Sequence, residues 1–278
     1  MLASEEKLGW MAWLSKKLPW RWMLVLGVLG LLLLWLSWAP EGMMGKADAV
    51  GYAVCHRIEV RSFHLGERQF PFCARCSGQY LGALVGFVYL AFFARRRIGR
   101  PPWWIITILA LFALTYALDG FNSYLHLIPG TERFHLYEPH NALRLLTGTG
   151  LGLGLSVALW PAFHQTVWTR VDPRPVLPGL KALAGLLLAA LLVDVLVLLE
   201  QPLILYPFAL LSAASVLLLL SLVYSMVWIL LFRLENRFNH LRELIWPLLG
   251  GFGLALTQII VLGLIRFWLT GTWDGFHF

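Results

Sequence analysis

Charge is what this chain of 278 residues has least of. Only 13% of its residues are Asp, Glu, Lys or Arg, about half the share found in soluble domains. That shortage excludes a water-facing surface over most of the chain. Cysteine is scarce too. Three are too few for a disulfide framework, and an odd number cannot pair completely within one chain. Segments of alternating hydrophobicity are missing, so a transmembrane β-barrel is not expected. No internal repeat and no low-complexity stretch is visible, and no separate soluble module is expected.

What is present is apolar residue in long blocks. Hydrophobic residues make up 59% of the chain, and its mean hydropathy is +0.71. The blocks fall at 20–39, 75–94, 103–120, 141–160, 181–199, 208–232 and 246–270. Each is near the ~20 residues that a helix needs to cross the hydrocarbon core. The expected fold class is all-α: a polytopic membrane helical bundle of about seven transmembrane helices. Residues 1–19 mix Trp10, Trp13 and Leu14 with Lys7, Lys16 and Lys17, as an interfacial segment does. The first block is too long for a signal-peptide core, and Pro40 follows its small-residue end, so an uncleaved anchor is expected. Residues 20–160 then form a motif-bearing membrane core, and 161–278 supply further transmembrane helices.

The formal charge of +7 is spread over short loops rather than gathered for a nucleic acid. Lys and Arg fall in alternate loops, at Lys16, Lys17 and Arg21, at Arg95–Arg97 and Arg100, at Arg170 and Arg174, and at Arg233, Arg237 and Arg242. By the positive-inside rule the N-terminus is cytoplasmic and the C-terminus extracytoplasmic, in a multi-pass protein of the cell membrane. Tryptophans at span ends, such as Trp20, Trp38, Trp103 and Trp246, read as an aromatic belt. Gly78, Gly82 and Gly86 in the second span, and Gly148, Gly150, Gly152 and Gly154 in the fourth, mark helix faces that allow close approach.

One loop on the predicted outer side breaks the charge pattern. Residues 55–78, CHRIEVRSFHLGERQFPFCARCSG, hold all three cysteines, two of the eight histidines, and Arg57, Arg61, Arg68 and Arg75. Cys73 and Cys76 form a C-x-x-C pair at the start of a span, where a helix N-terminus favours the thiolate. With Cys55 they make three soft ligands, and His56 or His64 is available as a fourth. A zinc site needs four, and zinc is the expected cofactor, in a structural rather than a catalytic role. A disulfide or a redox thiol pair would use the same residues in an oxidising setting.

The strings C-H-R, then R-S-F at Arg61, Ser62 and Phe63, then C-A-R-C-S-G at 73–78 resemble the signature of a family of uncharacterised bacterial and archaeal membrane proteins, a domain of unknown function. A second block accompanies it: Asp119-Gly120, then Asn141, Arg144, Thr147 and Gly148 in the pattern N-x-x-R-x-x-T-G. The resemblance covers about residues 50–160. It implies His56 rather than His64 as the fourth ligand, and it supplies no activity.

Asp119 and Asn122 close the third span, and Asn141 and Arg144 open the fourth, on the side predicted for the cysteines. A structural Asp119–Arg144 ion pair is one expectation there; an anion-binding or catalytic pocket, with Arg61 and Arg144 for the anion and Asp119 as base or metal orienter, is the other. Deeper in the bundle, Asp194 and Arg266 are expected to pair with one another, because a lone charge at that depth is costly. The function this predicts is a membrane enzyme acting on a lipid or lipid-linked anionic substrate. Asp119, Arg144 and Asn141 are its catalytic candidates, Arg61, Ser62 and Arg144 its substrate-binding candidates, and Cys55, His56, Cys73 and Cys76 its metal ligands. A transporter using Asp194 and Gln258, or an accessory protein with only a structural clamp, would draw on the same sequence.

Overall fold

The computed structural model describes residues 20–126 and 136–276. The interfacial segment expected at 1–19 lies outside the described residues. In chain order the elements are α1 (Trp20–Trp38), α2 (Gly42–Val54), β1 (Ser62–Leu65), β2 (Arg68–Cys73), α3 (Ala74–Phe93), β3 (Arg97–Gly99), α4 (Trp103–Leu125), α5 (Asn141–Val167), β4 (Asp172–Pro175), α6 (Leu180–Leu198), α7 (Pro202–Leu231) and α8 (Ile245–Thr270). All but α2 among these helices are long and apolar enough to cross a membrane, seven in all. The protein is a multi-pass membrane bundle, as the hydrophobic blocks imply.

The predicted spans hold to within a few residues at most boundaries. Three are longer than expected: α4 continues through Asn122 and Ser123 to Leu125, α5 passes Pro161 to reach Val167, and α7 begins at Pro202 rather than at 208. Nothing in FNSYL breaks a helix, and the Asp119 carboxylate that seemed to end the span is buried and paired. Two small sheets join the helices. β1 and β2 form an antiparallel hairpin turning at Gly66, whose φ of 64° suits glycine. β3 and β4 pair in parallel at the opposite end of the bundle.

The bundle is built on α3 and α5. A Cβ at Gly78 would stand 2.1 Å from the Leu145 carbonyl oxygen, and one at Gly148 would stand 2.1 Å from that of Arg75. The backbones therefore touch, with no side chain between them. In lipid, where tails are as apolar as leucine, such close contact is what drives helices together. A second close contact joins α7 and α8, where Gly251 meets Ser221 and Ser225, whereas Gly263 of α8 packs less tightly on Trp38 of α1. α4 shows the opposite logic. Apart from Ile105, its buried residues are the polar Asp119, Asn122 and Ser123 at its last turns. Lipid bathes its shaft, and its end carries polar groups into the protein.

Replacing Gly148 with leucine should force α3 and α5 apart and lower stability by about 1–3 kcal/mol, the usual cost of overpacking. Thermal unfolding in detergent checks this. Gly154→Ala should be nearly neutral, because its nearest neighbour would be the Leu109 carbonyl oxygen at 3.9 Å.

Candidate metal centre and anion pocket

Three elements deliver the cysteines. Cys55 follows α2, Cys73 ends β2, and Cys76 lies in the first turn of α3. Their sulfurs all lie within 4.8 Å of one another, and Cys55 Sγ is 3.4 Å from Cys73 Sγ. All three are free thiols. A disulfide requires about 2.05 Å between sulfurs, whereas tetrahedral zinc–sulfur bonds of about 2.3 Å place ligand sulfurs roughly 3.8 Å apart. The triad has the spacing of a metal site and can hold an ion.

Backbone amides help. The N–H groups of Cys73 and Arg57 donate to Cys55 Sγ at 3.3 and 3.5 Å. Arg57 reaches that position through a left-handed backbone, with φ of 53°, a conformation that costs about 1–3 kcal/mol in a non-glycine residue. Its guanidinium is anchored to Asp48 at 3.0 Å and to the Trp273 carbonyl at 3.2 Å. Arg68 takes the other Asp48 oxygen. Without a cation between them, thiols this close cannot all ionise. Hydrogen bonds from Cys55 and then Cys76 hold the Cys73 thiol well below the usual range. The bond that Cys55 gives Cys73, reinforced by burial, pushes Cys55 up to about 12.

Neither candidate histidine joins the sulfurs. Among the described residues the close-set ligand atoms are the three sulfurs alone. His56 is exposed, with its ring 6.3 Å from that of Phe276. His64 lies on β1 opposite Gln69.

Next to the triad is a nest of guanidinium groups. Arg75, between Cys73 and Cys76, donates through Nε and Nη2 to Asp119 Oδ2 at 2.9 and 2.5 Å, and through Nη2 to Ser123 Oγ at 2.8 Å. Tyr137 donates to Asp119 Oδ1 at 2.8 Å, and Thr147 leans on Oδ2 at 3.4 Å. Asp119 is 1% exposed, so this ion pair is buried. The expected Asp119–Arg144 pair is replaced: Arg144 bonds Asn141 Oδ1 at 2.7 Å and approaches Ser123 Oγ at 3.5 Å. Arg61 donates to the Ser123 carbonyl at 2.5 Å. Burial, and then the Arg75 charge beside it, lowers its pKa. Three arginines thus meet around Ser123 with one carboxylate among them.

Ser62 is buried in the frame of this nest. Its hydroxyl donates to the Ile58 carbonyl and accepts from Gln69, and its own carbonyl takes a long 3.4 Å bond from Asn141. The expected Asp194–Arg266 pair does not form. Asp194 accepts from Thr149 at 2.7 Å. Arg266 caps the carbonyls of Tyr52, Cys55 and His56. Sequence reasoning missed Arg75 as the partner of Asp119, and missed Ser123 and Tyr137. The signal for Arg75 was available in its place between two cysteines at the head of a glycine-faced helix.

The fold and these clusters define a helical membrane protein with a thiol triad and an arginine nest at one end of its bundle. A family model described as "Predicted membrane protein (DUF2085)" matches residues 55–158. An uncharacterized protein of Methanothermobacter thermautotrophicus is 33% identical over 104 residues, which is 37% of this chain and 82% of that one. Another uncharacterized protein, of Methanocaldococcus jannaschii, is 29% identical over 124 residues, 44% of this chain and 71% of its own. The chain belongs to this membrane-protein family. No solved structure matches it. The matched segment begins at Cys55, ends within α5 and encloses both clusters.

Arg75→Ala should leave the Asp119 carboxylate buried without its cation, at a cost of about 3–5 kcal/mol. Arg75→Lys should recover part of this, since an ammonium cannot reproduce a two-point grip. Unfolding midpoints of the two variants in detergent give the comparison.

Proposed function

We propose that this protein binds the anionic headgroup of a lipid or lipid-linked substrate in the nest of Arg61, Arg75 and Arg144. The observation that carries the reading is the charge balance: three guanidinium groups share one carboxylate around Ser123. Buried and half-buried cations in excess of their counter-charge call for an anion. Guanidinium forks suit the paired oxygens of phosphate or carboxylate. On this reading Arg61 and Arg144 contact the ligand, Asn141 orients Arg144, and Ser62 shapes the wall.

An enzyme is the use of such a pocket that we favour. Fixed donors at Arg144 and Asn141 would stabilise negative charge developing on a reacting oxygen. Asp119 then serves as a positioning residue rather than a proton acceptor, since Arg75, Thr147 and Tyr137 already occupy both of its oxygens. The loop-charge pattern supports an extracytoplasmic location for this end.

The thiol triad is assigned to zinc in a structural role. Its ligands tie the end of α2, the end of β2 and the start of α3 together, as a clamp does. His56 is assigned as the fourth ligand, because it adjoins Cys55 in the chain and is exposed. Bound zinc would neutralise the thiolates and lock the turn that aims Arg75.

Two measurements test the reading. Purified full-length protein should carry about one zinc per chain by elemental analysis. Cys76→Ser should lose it, and His56→Ala should weaken it. Recovery of one disulfide and one thiol from unreduced, denatured protein would instead establish a covalent clamp. For the pocket, binding of short-chain phosphatidic acid should weaken about tenfold or more in Arg61→Ala and in Arg144→Ala, the loss of one charge-assisted bond. Unchanged binding in both variants would remove the pocket from the account.

A further inference from the structure

The cysteines sit at the start of α3. A different site lies at its other end, where the chain leaves the helix through Phe92 and Phe93 into three arginines. A cavity of about 510 Å³ opens there. Arg95, Arg96, Arg97 and Arg174 line it, with Asp172 as the only carboxylate among the described residues of its wall. That carboxylate is engaged: Arg174 Nε bonds its two oxygens at 3.0 and 2.9 Å, and Arg97 Nε stands 3.7 Å away. Arg96 is fixed over the Trp168 ring at 3.9 Å and donates to the Asn239 carbonyl at 2.9 Å. Arg95 is exposed and makes no hydrogen bond or ion pair among the described residues. The β3–β4 pair makes one wall rigid.

We propose that this cavity binds the headgroup of an anionic phospholipid, with the acyl chains lying along Phe92 and Phe93. Four arginines against one occupied carboxylate leave positive charge that a phosphodiester neutralises through bidentate bonds. The flank is equally informative. Phe92 and Phe93 are 75% and 63% exposed, and together they offer apolar surface directly beside the cations. A free phosphate would use the arginines and leave the phenyl rings idle, whereas a phospholipid uses both. Basic pockets between transmembrane helices at the membrane surface hold acidic headgroups on these grounds. The site is independent of the Arg61 nest, which lies about 30 Å away along α3 at 1.5 Å per residue.

Native mass spectrometry of the full-length, delipidated protein in detergent provides the test, with phosphatidylglycerol, phosphatidylcholine and inorganic phosphate as probes. Phosphatidylglycerol should bind at least tenfold more tightly than phosphatidylcholine. Arg95→Ala should weaken it several-fold and the Arg95→Ala, Arg174→Ala pair at least tenfold. Lys181→Ala removes a cation of the same end that does not line the cavity, and it should change nothing. Equal binding of the two lipids would overturn the proposal, as would wild-type binding by Arg95→Ala. So would an equal loss in Lys181→Ala, which would mean generic surface attraction. Inorganic phosphate competing at the same concentration as the lipid would reassign the cavity to a free anion. If the double variant fails to fold, Arg95→Ala alone decides, since that side chain is exposed and unpartnered. A lipid held at the Arg61 nest would add to the phosphatidylglycerol preference but not to the losses caused by these substitutions, which report on this cavity alone.

Discussion

The arginine nest depends on the direct backbone contact between α3 and α5. Gly78 and Gly82 on one helix face Leu145 and Thr149 on the other, and Gly148 and Gly152 return the contact against Arg75 and Gln79. With no side chains between the helices, the first turn of α3 is set against the first two turns of α5. That puts Arg75 beside Thr147 and Arg144, and close enough to α4 for its fork to take Asp119. A wider separation would move the Arg75 guanidinium away from the carboxylate. A buried ion pair left without good geometry is a liability rather than a bond.

The nest around Ser123 is an unusual concentration of like charge for a protein so sparing with charge. Asp119 offsets one cation, and the backbone carbonyl of Ser123 partly satisfies another. The remaining positive potential is tolerable because the nest sits at the end of the bundle rather than in its middle. Charges near a membrane interface cost far less than charges at the midplane. The same reasoning accounts for the fate of Asp194 and Arg266. They do not pair. One takes a threonine hydroxyl, and the other reaches the carbonyls of Tyr52 in α2 and of Cys55 and His56 in the cysteine loop.

The spans, the glycine stripes and the gathering of three cysteines were legible in the sequence, because each follows from a repeating or compositional signal. Apolar runs near twenty residues announce themselves, and glycines four apart have one straightforward use in a membrane helix. What the sequence hid was specific pairing. Arg144 and Arg75 are equally plausible partners for Asp119 until the distance between α3 and α5 is known. α2 was hidden for another reason. GMMGKADAVGYAV has too little apolar length for a span, yet it buries Tyr52, Val50 and Asp48 against its neighbours. The hairpin was masked by its arginines, although Gly66 between SFHL and RQFPFC carries the turn signal.

The family match stops within α5, and the remaining helices are more than lipid-facing wrapping. Arg266 of α8 donates to the carbonyls of Cys55 and His56, and Phe276 donates its amide to the His56 carbonyl. Gly275 lies so close to Arg57 that a Cβ would stand 1.8 Å from its carbonyl oxygen. Trp273 accepts from Arg57 and packs on Tyr52 and Trp38. The loop that presents Cys55 is therefore held from two directions. The hairpin and α3 hold its sulfur, and the segment after α8 holds its backbone. A segment outside the matched residues thereby shares control over the geometry of a cluster inside them. The left-handed turn at Arg57 is where the two constraints meet, since its amide faces the Cys55 sulfur while its guanidinium and carbonyl face the chain's last turns.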